Sequence, residues 1–413
     1  MHAEPHPNTS AVDSDAARRY AAVRAATVAL VQPLSAEDCC VQSMPDASPG
    51  KWHLAHTSWF FETFILEKHE RGFRPFDPAF RVLFNSYYQG VGQQHPRPRR
   101  GLLTRPSLAT VLAYRADVDV RMQRLLEQDG LFASASGLAD LLELGLQHEQ
   151  QHQELILTDI KHLLWSNPMW PAYSDGWVEP APGAAAAAWQ QFEGGLLEMG
   201  HAGAGFAFDN ESPRHAVFLQ PYRLATTLVT NADYLAFIDA GGYGDPAHWL
   251  AEGWDWRRDQ QISHLLYWRR DGSGWSEFTL AGARPLAPQQ AAAHLSYYEA
   301  DAYARWAGAR LPTEAEWEAA CAAQEAAPGG GALQQMFGVL WQWTQSSYAP
   351  YPGFATAPGA VGEYNGKFMV NQYVLRGSSC ATPAGHARAS YRNFFPAAAR
   401  WQFTGLRLAQ DVG

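Results

Sequence analysis

Two histidines four residues apart, His148 and His152, lie in a stretch of helix-forming residues from Leu141 to Leu164. On a helix, residues at i and i+4 lie on one face, so both imidazoles can approach the same metal ion. Glu154 follows His152 by only two residues and points to nearly the opposite side, which argues against it as a ligand. A third ligand must therefore come from elsewhere in the chain, and its identity decides the chemistry.

The segment Trp52–His56 supplies two candidates for that third ligand, His53 and His56. Either imidazole, placed against the first pair, would complete a site of three neutral nitrogens. Such a site leaves up to three positions open on an octahedral ion, which suits a metal that binds two substrates and oxygen. It also suits a hydrolytic zinc ion. Residue types and spacing leave both choices open, iron or zinc and His53 or His56.

A long connection at residues 73–104 is rich in proline, glycine and arginine, and loops of this length in a bundle are commonly functional. Arginines can hold a carboxylate through paired hydrogen bonds, and a phenol near a metal can donate a proton. Beside a metal site we expect such side chains to serve a substrate; without one they would indicate surface arginines and packed tyrosines. The side chains concerned are Tyr87, Tyr88, Arg97, Arg99 and Arg100.

The segment Tyr391–Phe395 carries an adjacent aromatic pair, Phe394 and Phe395. Paired phenylalanines can form a face for a quaternary ammonium group through cation–π attraction. The residue pattern alone favours a hydrophobic strand in a core. The chain as a whole contains 16 Trp, 17 Tyr and 20 Phe, a composition that suits a wide pocket for a flat or cationic ligand.

Four predicted helices must position these residues. For the second helix, Ser48 is the expected N-cap and Pro49 the expected first helical residue. Four helices with one long crossover are typical of a four-helix bundle, a fold that builds metal sites from side chains facing its interior. The predicted helices are Ala16–Val31, Lys51–Lys68, a third that Ser107 caps and that runs to about Gln128, and the histidine-bearing helix, which ends before Asn167.

The character of the chain changes after this bundle. Glycine becomes frequent, helices become short, and the region from His294 to Ala320 is the one strongly helical part. The pattern predicts an α+β multidomain protein with a bundle at residues 12–167, a linker or wrap at 168–190 and an irregular α+β domain at 191–413.

Composition narrows the class of protein. The 413 residues are 47% hydrophobic and carry a formal net charge of −10, which argues against nucleic-acid binding. No apolar run approaches the length needed to span a membrane, and the polar first residues do not read as a signal peptide. Four cysteines do not form a disulfide framework. We therefore expect a cytoplasmic protein without a membrane or nucleic-acid partner; the oligomeric state is not indicated.

In combination, these motifs resemble the ergothioneine-biosynthetic sulfoxide synthases. The second half is similar to the formylglycine-generating-enzyme fold, a variant of the C-type-lectin architecture. The resemblance covers the chain from about Arg19 to Ala409, and the order and joint presence of the motifs make it specific. The matching segments are Ser48–His56, Phe84–Tyr88, Pro96–Gly101 and Gly145–Asp159 in the first half, and Met199–His201, Asn231–Phe237, Arg310–Glu318 and Leu375–Gly377 in the second.

The resemblance implies a DinB-like four-helix bundle that holds a non-haem Fe(II) on His56, His148 and His152. The enzyme would use O2 to join a cysteine-type thiol to C2 of the imidazole of N-α-trimethylhistidine (hercynine), giving a sulfoxide. Thiolate and imidazole can each take an open iron position and leave one for O2, so their coupling becomes effectively intramolecular. The active site would lie between the bundle and the carboxy-terminal domain.

The resemblance also implies roles for side chains of the bundle. Gln151 resembles the residue that contacts the hercynine imidazole, and Arg97 and Arg100 resemble the pair that holds the carboxylate of the thiol substrate. The pair Tyr87–Tyr88 resembles the branch of the family that places its active-site tyrosines in this loop. That branch tends to use free cysteine and not γ-glutamylcysteine, which favours cysteine here. One of the two tyrosines would donate a proton and favour C–S coupling over thiol dioxygenation.

In the second half, Asn393, Phe394 and Phe395 map to the segment that surrounds the trimethylammonium group. One branch of the family has an acidic residue at the position of Phe395, so cation–π attraction is the better account here. Gln342 stands where the carboxy-terminal fold usually has Glu, and we interpret it as structural.

Three other functions fit parts of the pattern. A related synthase acts on plain histidine and makes the 5-thiohistidine of the ovothiol route, but those proteins resemble longer chains with an added methyltransferase domain. A zinc-dependent thiol transferase could use the same bundle. A non-catalytic stress protein could retain the same fold.

Overall fold

The computed structural model describes residues 9–128, 130–181, 183, 188–272, 274–326, 331–356, 362 and 365–412. The described residues up to Ser166 form one compact unit, and those from Asn167 onward form a second. Among the helices described, none has the length and apolar character needed to cross a membrane.

The first unit is a four-helix bundle, as predicted. Its described helices are α1 (Thr9–Val31), α2 (Gly50–Phe61), α3 (Glu67–His69), α4 (Phe80–Leu83), α5 (Leu108–Leu126), α6 (Leu131–Ser134) and α7 (Leu138–Ser166). The four long helices form the bundle: α2 packs against both α5 and α7, and α1 packs against the same two helices.

The start of α2 differs from the prediction. Pro49 itself occupies the N-cap position, with extended backbone angles and no side-chain cap, so the expected cap by Ser48 is wrong. The hydroxyl of Ser48 instead accepts a hydrogen bond from Arg100 at 2.9 Å. At the other end, a π-helical turn at Glu62–Leu66 joins α2 to α3, and such turns often lie near functional sites. The predicted cap of α5 is confirmed, since the Ser107 hydroxyl accepts from the Thr110 amide at 3.1 Å.

A buried carboxylate ties the four long helices together. Glu149 on α7 pairs with Arg24 of α1 at 3.0 Å and with Arg115 of α5. The same two arginines reach α2, because Arg24 donates to Ser58 at 2.9 Å and Arg115 donates to Thr57 at 3.0 Å. Burial alone would raise the pKa of Glu149, but the two guanidinium groups override it and the pKa is lowered. Glu149 is therefore an anion in the folded protein.

The contact between α2 and α7 depends on a residue without a side chain. A methyl group added at Gly145 would lie 2.6 Å from a ring carbon of Phe61 and 2.9 Å from one of Phe60, closer than real side chains approach. Gly145 precedes His148 by less than one helical turn. It therefore sets the spacing of the two helices at the level of the histidines.

The long crossover between α3 and α5 contains α4 and two 3-10 turns, at Gln89–Val91 and Arg97–Leu102. Tryptophans of α2 fasten it to the bundle. The indole of Trp52 donates to the Leu83 carbonyl at 3.3 Å, and that of Trp59 donates to the Arg81 carbonyl at 3.2 Å. The predicted irregular connection is thus an ordered segment held against α2.

The second unit mixes short strands with four described helices. The helices are α8 (Asn231–Asp239), α9 (Ala251–Asp259), α10 (Tyr297–Trp306) and α11 (Glu314–Ala326). The strands are β1 (Trp189–Phe192), β2 (Gly195–Met199), β3 (His215–Leu219), β4 (Tyr222–Ala225), β5 (Trp268–Asp271), β6 (Gly274–Thr279), β7 (Gly282–Pro285), β8 (Trp341–Ser347), β9 (Tyr373–Gly377), β10 (Asn393–Phe395), β11 (Thr404–Gly405) and β12 (Ala409–Asp411). These strands form sheets with the orders β1-β4-β12, β10-β9-β8-β11, β2-β3 and β5-β6-β7, and the β11–β8 pair is parallel.

The predicted helical stretch from His294 to Ala320 contains two helices, α10 and α11. The chain leaves α10 through Gly308, whose φ of +65° favours glycine, and Pro312 precedes α11. Helix α11 contributes Trp317 to a buried hydrophobic core. Gln342 links this core to its neighbours: its amide oxygen accepts from Trp317 at 2.9 Å and from Arg407 at 3.0 Å.

The segment predicted as a linker, 168–190, is described except for residues 182 and 184–187. Its first part is tied to the rest of the second unit, because the Tyr173 and Ser174 amides both donate to the Leu280 carbonyl, at 2.9 and 3.0 Å. Strand β1 begins at Trp189. The boundaries at 167, 190 and 191 stay predictions.

Replacing Glu149 with Gln should deprive buried Arg115 of its carboxylate partner and leave Arg24 paired with Asp119 alone, at 2.5 Å. Breaking a buried ion pair in this way costs about 3–5 kcal/mol, so the free energy of unfolding should fall by that amount. Urea denaturation of the full chain, followed by circular dichroism, measures it. Glu67→Gln is the control, because its partner Arg81 is exposed and the change should stay within about 1 kcal/mol. Equal effects of the two substitutions would contradict the role given to Glu149.

Candidate metal centre

Two packed helices bring three histidines together. His56 lies on α2, and His148 and His152 lie one turn apart on the face of α7 that meets α2. One ligand nitrogen from each of the three lies within 4.8 Å of the others, and all three side chains are buried. The Nε2 atoms of His56 and His148 are 3.2 Å apart. Three ligand nitrogens this close together can bind one metal ion.

The three imidazoles are neutral. Burial lowers the pKa of His148 to about 3, although the nearby Glu149 carboxylate opposes the shift. Burial also lowers the pKa of His56 and of His152 well below the ordinary value, and repulsion from His148 adds to the effect in both. A neutral imidazole keeps a lone pair for a metal. The donor set therefore fits a divalent ion that prefers nitrogen ligands, as iron and zinc do.

Hydrogen bonds orient two of these rings. His56 Nδ1 lies 2.6 Å from the Phe84 carbonyl oxygen, which can only accept, so Nδ1 carries the proton. The lone pair that can bind a metal is therefore on Nε2. His152 Nδ1 lies 2.8 Å from Nδ1 of His53. His53 thus contacts a member of the cluster and is not itself one of the three. The choice that residue spacing left open falls to His56.

The two glutamates nearest the histidines do not join them. Glu154 is only partly buried and lies outside the group of potential ligands found among the described residues. Glu149 is fully buried but faces Arg24 and Arg115. This geometry agrees with the expectation that Glu154 is not a ligand.

Arg100 is a buried cation beside the cluster. Its guanidinium carbon lies 3.4 Å from the centre of the Trp52 ring, and Trp52 stacks on His56 at 4.6 Å. Its Nη atoms donate to the hydroxyls of Ser48 and Ser86, at 2.9 and 3.1 Å. Within the described part of the chain, no carboxylate pairs with it and its Nε has no hydrogen-bond partner. Burial, aided by repulsion from Arg97 and opposed by attraction to Asp159, lowers the pKa of Arg100 to about 8.

Other predicted residues of the crossover take different places. Arg97 is exposed and donates to the Asp46 carbonyl, so it does not stand with Arg100 in the buried group. Tyr88 is fully buried against Trp59, with ring centres 5.6 Å apart, and Tyr87 stacks on Tyr88 at 4.6 Å and is partly exposed. Trp59 also stacks on His56 at 5.6 Å. Aromatic rings thus connect Tyr88 to the cluster.

The remaining predicted residues divide between the units. Gln151 lies on α7 three residues after His148 and is partly exposed, on the adjoining part of the same helical face. Asn393, Phe394 and Phe395 form β10 of the second unit, paired with β9. Phe394 stacks on Tyr348, with ring centres 4.0 Å apart. The strand expected from the residue pattern is present, and its aromatic side chains are only partly buried.

Two family models match the chain, the DinB superfamily over residues 19–156 and the sulfatase-modifying factor enzyme 1-like domain over residues 178–330 and 327–412. A hercynine oxygenase of Mycolicibacterium thermoresistibile is 33% identical over 417 residues, which cover 89% of this chain and 88% of that protein. The chain belongs to the hercynine oxygenase family. A second hercynine oxygenase, from Mycobacterium tuberculosis, is 32% identical and covers 95% of this chain and 97% of its own.

Membership in the hercynine oxygenase family confirms the predicted fold class, a DinB-like bundle followed by a formylglycine-generating-enzyme-like domain. The second half also matches a formylglycine-generating enzyme of Streptomyces coelicolor, which is 36% identical over 165 residues covering 34% of this chain and 50% of that enzyme. Cys321, one of the two cysteines of this half, is a free thiol. Burial raises the pKa of Cys321 to about 12, which makes it unreactive.

Sequence reasoning missed several residues that lie beside the three histidines. Trp52 lies between Arg100 and His56, and Ser48 and Ser86 hold the guanidinium group. Asp159 lies 3.1 Å from His53. Its position could have indicated this, because it follows His152 by seven residues, two turns along the same face of α7.

Proposed function

We propose that this protein is a non-haem Fe(II) enzyme that joins a thiol to C2 of the hercynine imidazole and oxidises the sulfur, a step in ergothioneine biosynthesis. Cysteine is the proposed thiol. One C–H and one S–H bond are lost, a C–S bond forms, and O2 supplies the sulfoxide oxygen while its second atom leaves as water. The observation that carries the proposal is the group of three buried, neutral histidines in a chain of the hercynine oxygenase family.

His56, His148 and His152 would hold the metal through one nitrogen each. When bound, Fe(II) would supply open coordination positions for the substrates and the electrons that activate O2. The chain contributes a dry, aromatic surround, in which Trp52, Trp59 and Phe60 pack on the histidine rings. Because these residues are buried, water is excluded from the side of the site that they form.

Arg100 would bind the carboxylate of the thiol substrate. A buried guanidinium group with an unused Nε and no anionic partner among the described residues is stabilised by an incoming carboxylate. Its stacking on Trp52 leaves the planar group fixed before the substrate arrives, which lowers the entropy lost on binding. Arg97, which is exposed, would contribute from the surface.

Gln151 would hydrogen-bond the hercynine imidazole, since it lies between the two histidines of α7 in sequence and beside them on the helix. The trimethylammonium group carries no hydrogen-bond donor and is recognised best by aromatic faces. Phe394 and Phe395, with Asn393, would provide that recognition from β10. The two substrates are thus assigned to different side chains.

The assay that tests the proposal is aerobic turnover with Fe(II), hercynine and either cysteine or γ-glutamylcysteine, followed by mass spectrometry. We expect an adduct that contains both substrates and one oxygen atom, formed faster with cysteine. The His148→Ala variant is the negative control. Absence of any such adduct with either thiol would overturn the proposal, and faster turnover with γ-glutamylcysteine would overturn the choice of thiol only. Activity with zinc in place of iron would overturn the oxidative reaction.

Arg100→Met and Gln151→Leu should separate the two substrates in steady-state kinetics. Losing the partner of a buried carboxylate costs at least about 2 kcal/mol, so Arg100→Met should raise KM for cysteine at least tenfold and leave KM for hercynine nearly unchanged. Gln151→Leu should do the reverse, and Phe395→Leu should follow Gln151→Leu. Arg99→Met, at an exposed neighbouring position, is the control. Equal effects of Arg100→Met on both KM values would contradict the assignment.

One of Tyr87 and Tyr88 would donate a proton during oxygen reduction, which favours C–S coupling over dioxygenation of the thiol. Replacing both with Phe keeps the aromatic stack and removes the hydroxyls. The ratio of cysteine sulfinate to sulfoxide adduct should therefore rise, as measured by mass spectrometry of the products. Tyr114→Phe, a buried tyrosine whose hydroxyl donates to Glu62 at 2.7 Å, is the control. An unchanged ratio in the double variant would rule out the proton-donor role.

A further inference from the structure

A chain of three buried groups ends at His152. His152 Nδ1 lies 2.8 Å from Nδ1 of His53, and Nε2 of His53 lies 3.1 Å from a carboxylate oxygen of Asp159. All three side chains are buried. The chain runs from α7 to α2 and back to α7. Residue spacing offered His53 only as a possible ligand and gave Asp159 no role.

The positions of the protons along this chain follow from its far end. A carboxylate can only accept, so His53 must carry a proton on Nε2. In the tautomer with its proton on Nε2, His53 has a bare Nδ1, which can only accept. The atom that faces it, Nδ1 of His152, must therefore be the donor, and the lone pair of His152 is left on Nε2. The opposite arrangement would place a proton on Nε2 of His152 and remove it as a ligand.

Asp159 is held in place to act in this way. The same carboxylate oxygen that faces His53 accepts the Ser48 amide proton at 2.7 Å. Ser48 directly precedes Pro49, the N-cap of α2, and its hydroxyl accepts from Arg100 at 2.9 Å. The carboxylate is therefore positioned by backbone and cannot turn away from His53 without losing a buried hydrogen bond.

We propose that His53 and Asp159 are positioning residues for the metal centre: together they fix the tautomer and the ring orientation of His152, so that its Nε2 is presented to the metal. Partners of this kind usually contact the ligand directly as a carboxylate or carbonyl. Here His53, on α2, relays the effect of a carboxylate that lies two turns along α7 from His152. The inference rests on the proposed metal site, and it concerns metal affinity, which can be measured without turnover.

Two substitutions at His53 distinguish this role from simple packing. Gln at this position can accept from His152 through its amide oxygen and donate to Asp159 through its amide nitrogen, so it reproduces the pattern of donors and acceptors. Leu fills a similar volume and offers neither. His162→Leu is the matched control, since His162 lies on α7 and bonds to Ser43 at 2.8 Å, away from the cluster.

The experiment is a titration of the metal-free full chain with Co(II), followed by its visible absorption, for the parent protein and the three variants. Outer partners of metal ligands typically contribute about 10–100-fold in affinity, so His53→Leu should bind Co(II) at least tenfold more weakly. His53→Gln should recover most of this loss, and His162→Leu should bind as the parent does. Urea denaturation of the metal-free proteins shows whether the variants are folded.

Unchanged Co(II) affinity in a folded His53→Leu variant would overturn the inference, as would equal losses in the Gln and Leu variants. If the Leu variant does not fold, the comparison of His53→Gln with the parent decides alone: a tenfold loss in that variant overturns the inference. Failure of the proposed reaction is a separate result, because it appears in the turnover assay and leaves the titration readable. Failure of the parent protein to bind Co(II) would overturn the metal site and this inference together.

Discussion

A carboxylate at the centre of a helical bundle is unfavourable unless cations and donors surround it, and Glu149 meets that condition with Arg24 and Thr27 of α1 and Arg115 of α5. Its neighbour along the chain is the candidate ligand His148. Turning α7 about its axis would withdraw the carboxylate from both guanidinium groups, so the ion cluster fixes which face of α7 meets α2. The histidine face is opposed to α2 as a consequence. The candidate metal centre is therefore oriented by an ion cluster that supplies none of its potential ligands.

Main-chain and aromatic contacts hold the crossover in place beside the three histidines. The Phe84 carbonyl accepts from His56, only a few residues before Tyr87 and Tyr88. Farther along, Arg100 stacks on Trp52, which itself stacks on His56. A long loop thus keeps fixed positions relative to the ligands at two points. Substrate-binding side chains on a loop can then be as well positioned as those on a helix.

The periodicity of the sequence was enough to predict the bundle and the His148–His152 pair on α7, because both depend on local spacing. The sequence could not decide between His53 and His56, because the two lie three residues apart and only the crossing of α2 and α7 separates them. Ser48 was misassigned for a related reason: a serine before proline suits a cap, and its tertiary partners Arg100 and Asp159 were not visible. The division of α10 from α11 was in principle predictable, from Gly308 and Pro312. The roles of Gln151, Tyr87 and β10 came from resemblance and stay proposals.

Gly145 carries a consequence for how this site can change over time. Every substitution there adds atoms between α7 and the rings of Phe60 and Phe61, and pushes the helices apart where three imidazoles must converge. A lineage could retain all three histidines and still lose their convergence through one methyl group added at Gly145. A smaller side chain in place of Phe60 or Phe61 would be needed to make room for it. Gly145 thus constrains the candidate metal centre without being one of its potential ligands.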